Sequence, residues 1–170
     1  MKLRRRRWQL ANRRPRTTLV AAIIVCEVVG ASGSVFTTMG LESWYPSLVR
    51  PAIAPPNWVF APVWTTLFAL LGVAAWLVWR RATVVGPEAT RLAVGTFVVQ
   101  FALNVAWSAV FFGGQSLAGG LLVIALLWLA IAATVAAFYG VDRRAAALLV
   151  PYLAWVTFAG YLNYAFWALN

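Results

Sequence analysis

Residues 44–64 read WYPSLVRPAIAPPNWVFAPVW, the one long irregular stretch in a chain that is otherwise almost continuous hydrocarbon. Five of the chain's eight prolines fall here, together with Trp44, Trp58, Trp64 and Arg50. Each proline lacks an N–H and pushes the residue before it toward extended geometry, so Pro55, Pro56 and Pro62 cannot all lie inside a regular helix. The stretch is therefore a structured loop running into the start of a helix. Rigid, amphipathic aromatics in such number mark it as a lid or ligand wall rather than a spacer.

Outward from this loop the chain is hydrophobic. Of its 170 residues 63% are hydrophobic and only 11% charged, more apolar surface than a soluble domain of this size can hide. Crossing about 30 Å of hydrocarbon takes roughly 20 apolar residues as a helix. Five runs qualify, near 18–38, 58–79, 91–112, 116–138 and 146–168. No alternating strands of a membrane barrel occur, and helices alone satisfy their own backbone groups in lipid. The expected fold is an all-α integral membrane protein, a single five-helix transmembrane bundle over residues 17–170 with an outer loop at 39–57. An odd number of spans argues against two equal inverted halves. Pro151 predicts a kink in the fifth span.

With one cysteine and no histidine, the sequence lacks a disulfide framework, His-ligated haem, a metal cluster and any Ser-His or Cys-His nucleophile. Neither a carboxylate pair nor a Gly-rich phosphate loop is present. Chemistry here needs a bound cofactor or substrate, with tryptophan as the redox-capable side chain in quantity.

Basic residues are strongly biased. Lys2, Arg4, Arg5, Arg6, Arg7, Arg13, Arg14 and Arg16 crowd residues 1–16, which read as a topology anchor on anionic headgroups of membrane lipids rather than a nucleic-acid arm. Alternating the connecting segments across the membrane leaves every basic residue but Arg50 on one side. The expectation is an N-terminus inside, with the proline-rich loop and the C-terminus outside, in a bacterial cytoplasmic membrane. The first apolar run also has the outline of a signal peptide, but Glu27 interrupts it and the basic region before it is long.

Gln100, Asn104 and Trp107 share one face of the third span, and Trp155, Ala159 and Asn163 one face of the fifth. Trp64 and Phe68 lie a turn apart in the second. Trp64, Asn104, Trp107 and Asn163 fall toward the outer ends of their spans, at the level of the loop, so these faces can enclose an aromatic pocket beneath it. The amides can equally be interhelical hydrogen-bonding groups, worth roughly 0.6–2 kcal/mol each. Trp58, Trp79 and Trp167 also suit the aromatic belt at the membrane surface. Glu27, the acid inside a span, is either pocket lining or a protonated residue bonded to a neighbouring helix. Ala102 and Ala106 follow the small-xxx-small spacing of close helix pairs, on a different face from Gln100 and Asn104, where a homodimer could form.

These motifs resemble the translocator protein family (TspO/MBR, the peripheral-type benzodiazepine receptor family). The matching residues are Trp44-Tyr45, Leu48, Arg50-Pro51, Pro55-Pro56, Trp58-Val59-Phe60 and Val63-Trp64, then Gln100, Leu103-Asn104, Trp107 and Phe111-Phe112-Gly113, and finally Pro151-Tyr152-Leu153-Ala154-Trp155 and Leu162-Asn163-Tyr164. The resemblance implies a five-helix bundle, usually dimeric, that retains its first helix. It also implies binding of porphyrins such as protoporphyrin IX, and of aromatic drug-like molecules, under the first loop. Trp44, Arg50, Pro55, Trp58 and Phe60 thereby join Trp64, Phe68, Gln100, Asn104, Trp107, Trp155, Ala159 and Asn163 as candidate ligand-binding residues. In some bacterial members light-driven breakdown of protoporphyrin IX is tied to tryptophans that match Trp64 and Trp155.

Two departures stand out. Where family members often carry Lys before the loop proline and an aromatic further on, this chain has Arg50, Ala52 and Ile53. The sterol pattern of animal members needs a basic residue after the Tyr of the fifth helix, and Tyr164 is followed by AFWALN. The leading expectation is a membrane tetrapyrrole-binding sensor or scavenger, with no covalent cofactor and no metal. The alternatives are a porphyrin-degrading enzyme at the same site and a transporter of porphyrins or other amphipathic molecules.

Overall fold

The computed structural model describes residues 15–170, so residues 1–14 of the basic tail lie outside the described residues. Among the described residues there is no strand, and five helices are long and apolar enough to cross a membrane. The first span is α1 (Pro15–Ala31) followed by α2 (Ser34–Ser43). The others are α3 (Phe60–Val85), α4 (Pro87–Ser108), α5 (Leu117–Val141) and α6 (Arg143–Leu169). A π turn, Ala109–Gly113, prolongs α4.

The helices run past the uncharged stretches that announce them. A helical backbone keeps its own hydrogen bonds wherever it goes, so a charge ends the hydrocarbon without ending the helix. Thus α3 carries Arg80 and Arg81 and stops only at Val85, where Gly86 takes φ 89 and Pro87 opens α4. The first span reaches Ser43, so the loop placed at 39–57 begins only at Trp44, and it contains two short 3-10 turns, Tyr45–Ser47 and Asn57–Val59. α6 stays helical through Pro151.

Short connections fix the directions of the spans. Gly86 alone separates α3 from α4, and Asp142 alone separates α5 from α6. Asp142 accepts from the Arg144 backbone N–H at 2.9 Å, capping α6, and its carboxylate pairs with Arg81 at 3.4 Å. At the opposite end, which we call the loop end, Ser116 caps α5 by accepting from the Gly119 N–H at 3.1 Å.

Around the bundle the first span packs on α3, α3 on α6, α6 on α5 and α5 on α4, and the π turn closes the ring against α2. Leu71, Leu127, Ile131, Leu149, Tyr152 and Val156 are buried where these helices meet. Near its start the first span lies tight against α3: a Cβ at Gly72 would stand 2.5 Å from the Ile23 Cα. The break at Ser32–Gly33 then releases it, and α2 packs instead on the π turn of α4. The space left between α2 and α3 is the origin of the cavity described below.

A methyl group at Gly72 meets backbone, which cannot rotate away. Gly72→Ala is therefore expected to cost about 1–3 kcal/mol through overpacking. Thermal unfolding in detergent checks this against Gly140→Ala, where an added Cβ meets nothing within 4 Å and stability should not fall.

Candidate ligand cavity

A cavity of about 390 Å³ lies at the loop end among the first span, α3, α4 and α6, within the roughly 300–1,000 Å³ usual for small-molecule sites. α5 contributes no wall residue. In each helix the lining residue farthest from the loop marks the floor: Glu27 in α1, Phe68 in α3, Asn104 in α4 and Trp155 in α6. Tyr45 and Asn57, from the two 3-10 turns, stand at the roof. The lining residues exposed on the molecular surface are Ala31 and Ser34 on one side and Asn57, Ala61 and Thr65 on the other. The cavity is therefore open between the first and second spans, where α2 has left α3.

The walls are aromatic faces. Trp64 stacks on Phe68 with ring centres 5.3 Å apart, and Trp107 on Phe111 at 5.1 Å. Phe60 meets Trp155 edge-on at 5.8 Å, and Tyr45 leans on Phe166 at 5.2 Å. Phe68 keeps its place because Gly30 has no side chain; a Cβ at Gly30 would collide with the Phe68 ring. Gly30 is thus a packing requirement of the floor.

Three polar side chains of the wall, Asn104, Trp107 and Asn163, are bonded across helices. Asn104 Nδ2 donates to the Tyr152 hydroxyl at 3.1 Å, Trp107 Nε1 to Asn163 Oδ1 at 3.1 Å, and Asn163 Nδ2 to the Leu117 carbonyl at 2.9 Å. These bonds lock rotamers and orient the Trp107 ring. The buried indole nitrogen of Trp155 has no partner among the described residues. Outside the spans, burial pushes the Tyr45 phenol above its ordinary value while the Arg50 charge opposes the shift. Tyr45 thus stays a neutral hydroxyl at neutral pH.

Of the sequence candidates, Phe60, Trp64, Phe68, Asn104, Trp107, Trp155, Ala159 and Asn163 line the cavity, and Trp44, Arg50, Pro55, Trp58 and Gln100 do not. Trp44 backs the wall, edge-on to Phe111 at 5.6 Å. Arg50 is exposed and donates to the Pro55 carbonyl, so this pair holds the loop's own shape. Trp58 is 74% exposed on the short turn before α3, as suits a membrane-surface tryptophan. Gln100 shares the Asn104 face but lies a turn below the floor, fully buried, with both amide atoms lacking a partner among the described residues. Gly30, Gly33 and Thr37 were not among the candidates, because nothing in the apolar run revealed the break that turns this side of the first span inward; Tyr45 was missed because the loop has no periodicity to orient it.

Comparison with known proteins places the chain. The TspO/MBR family profile matches residues 22–168. The chain belongs to the TspO/MBR family. It is 44% identical over 157 residues to the tryptophan-rich protein TspO of Chlorobaculum tepidum, covering 90% of this chain and 96% of that protein. Protein CrtK of Rhodobacter capsulatus is 39% identical over 154 residues, with 91% and 93% covered. The translocator protein of Homo sapiens is 41% identical over 127 residues, 75% of each chain.

In this TspO/MBR chain the loop is tied down at the far end of α6. The Val49 N–H donates to Asn170 Oδ1 at 2.8 Å, and Asn170 Nδ2 donates to the Val49 carbonyl at 3.2 Å. Asn170→Ala removes both bonds, each worth about 0.5–1.5 kcal/mol net. Faster hydrogen exchange of the Val49 amide, with the α3 and α5 amides unchanged, is the expected outcome; unchanged exchange at Val49 would show that the loop is held by other contacts.

Proposed function

We propose that this protein binds tetrapyrroles of the protoporphyrin IX or haem type in the loop-end cavity and serves the membrane as a porphyrin scavenger or stress sensor. The observation that supports it most is the wall itself: three indoles, Trp64, Trp107 and Trp155, beside Phe60 and Phe68 around one opening. Flat π systems pack best on such faces, each pair adding about 0.5–1.5 kcal/mol beyond the area buried. The open side lets a macrocycle larger than the enclosed volume enter edge-first from the lipid. The same reading takes the tail as inside, the loop as outside, and the α4 face of Ala102, which is exposed, and Ala106, which is half-buried, as a face for a homodimer.

A second reading, light- and oxygen-dependent breakdown of the bound porphyrin, has its own support. Trp64 and Trp155 both stand in the wall, where an indole can pass an electron to an excited macrocycle and dioxygen can act as the terminal oxidant.

Tryptophan fluorescence of detergent-purified protein, titrated with protoporphyrin IX in the dark and then followed by absorbance under light, tests both. Saturable quenching is expected, weakened about two- to tenfold in Trp64→Phe and Trp155→Phe by loss of indole area. Bleaching that disappears in these variants supports turnover, whereas protein-independent bleaching leaves a binder. Absence of saturable quenching contradicts the tetrapyrrole assignment.

A further inference from the structure

Glu27 is the one group of the cavity whose chemistry the tetrapyrrole reading does not use. It lines the floor from α1, and among the described residues it has no hydrogen bond or ion pair. No lysine or arginine lines the cavity with it; the one other ionisable lining residue is Tyr45, at the roof. Cys26, its neighbour in sequence, is a free thiol buried in the core and outside the lining. Of the polar donors of the wall, Asn104 donates to Tyr152, Trp107 to Asn163 and Asn163 to Leu117, while the Trp155 indole N–H is uncommitted among the described residues. Glu27 is thus an unspent acceptor in a site walled by apolar groups, where attraction between opposite charges is far less screened than in water.

Its surroundings name the partner. Gly30, one turn above Glu27, carries the Phe68 ring against it, and Phe68 is stacked on Trp64. A carboxylate in the same cavity as aromatic walls, one helical turn from the glycine that seats Phe68, is a set of groups that recognises an alkylammonium ion, the acid by a charge-assisted hydrogen bond and the rings by their π systems. We propose that the cavity takes a second ligand class, amphipathic amines with an aromatic body, whose ammonium group pairs with Glu27 at the floor and whose body lies along Trp64 and Phe68. Porphyrin carboxylates are repelled by the same group, so a tetrapyrrole sits with its carboxylates toward the loop end. This inference rests on the cavity being a ligand site, as the proposed function does, but not on the tetrapyrrole.

The test is isothermal titration calorimetry in non-ionic detergent with two probes of one shape, 3-(2-naphthyl)propylammonium and 3-(2-naphthyl)propanol, on the parent protein and on Glu27→Gln. The amide keeps size and hydrogen bonding and removes the charge. The parent should prefer the ammonium by about tenfold, the scale of a charge-assisted contact. Glu27→Gln should lose that preference while binding the alcohol as the parent does. Equal affinities in the parent, or a preference that survives the substitution, overturn the proposal. Should the variant not fold, the parent's ratio and that of Glu27→Asp, expected to retain part of the preference, decide it. Ammonium binding without saturable porphyrin quenching would sink the tetrapyrrole reading alone, and the reverse would sink this one alone.

Discussion

Hydrocarbon offers no partner to a polar group, and most of this bundle answers to that, Gln100 and the Trp155 indole N–H being the exceptions among the described residues. The backbone answers by remaining helical through five spans and beyond their charged ends. Side chains answer by bonding across helices: Asn104 to Tyr152 joins α4 to α6, and Trp107 to Asn163 to the Leu117 carbonyl joins α4, α6 and the start of α5. Contacts of this kind contribute about 0.6–2 kcal/mol each; these stand around the cavity, while Trp76 to Thr18 and Trp128 to Thr157 join helices away from it. Around the cavity the bonds hold its walls apart in fixed rotamers. What the walls then present inward is what the protein has not spent on itself, chiefly the faces of indole and phenyl rings and one carboxylate.

The cavity exists because the first span changes partner. Its lower half fits against α3 at Gly72, where a Cβ would press on the Ile23 backbone, and after Ser32–Gly33 its upper half goes to the π turn of α4. Gly40 allows that second contact, since a Cβ there would stand 2.9 Å from Phe112. The loop spans the resulting gap, held by Arg50 on Pro55 and by Asn170 on Val49. A site built between two helices that part company, under a loop with few bonds to the rest, opens more easily than the core around Leu71 and Tyr152.

Much of this was legible in the residues. Run lengths gave five spans because the cost of an unsatisfied backbone in lipid leaves few alternatives, and helical spacing put Asn104 with Trp107, and Trp155 with Ala159 and Asn163, on inward faces. Spacing fixes a face but fixes depth only coarsely. Gln100 lies on the face of Asn104 yet about 6 Å farther along the axis, at the helical rise of 1.5 Å per residue, which carries it below the cavity floor. The loop was harder still. Trp44, Arg50, Pro55 and Trp58 have no periodicity to orient them, and whether each turns inward depends on where the 3-10 turns fall. The break in the first span was illegible for a related reason: small residues at Ala31, Ser32 and Gly33 are as compatible with a close helix contact as with a bend.

The most direct measurement compares where bulk blocks binding. Ala159 lines the cavity, while Leu122 is 66% exposed on the outer face of α5, the helix that contributes no wall residue. With protoporphyrin IX titrated against Ala159→Phe and Leu122→Phe, both shown to be folded by thermal unfolding, saturable quenching should be lost in the first and kept in the second. Equal binding by the two variants would mean that porphyrin lies on the lipid-facing surface and that the aromatic cavity is not the ligand site.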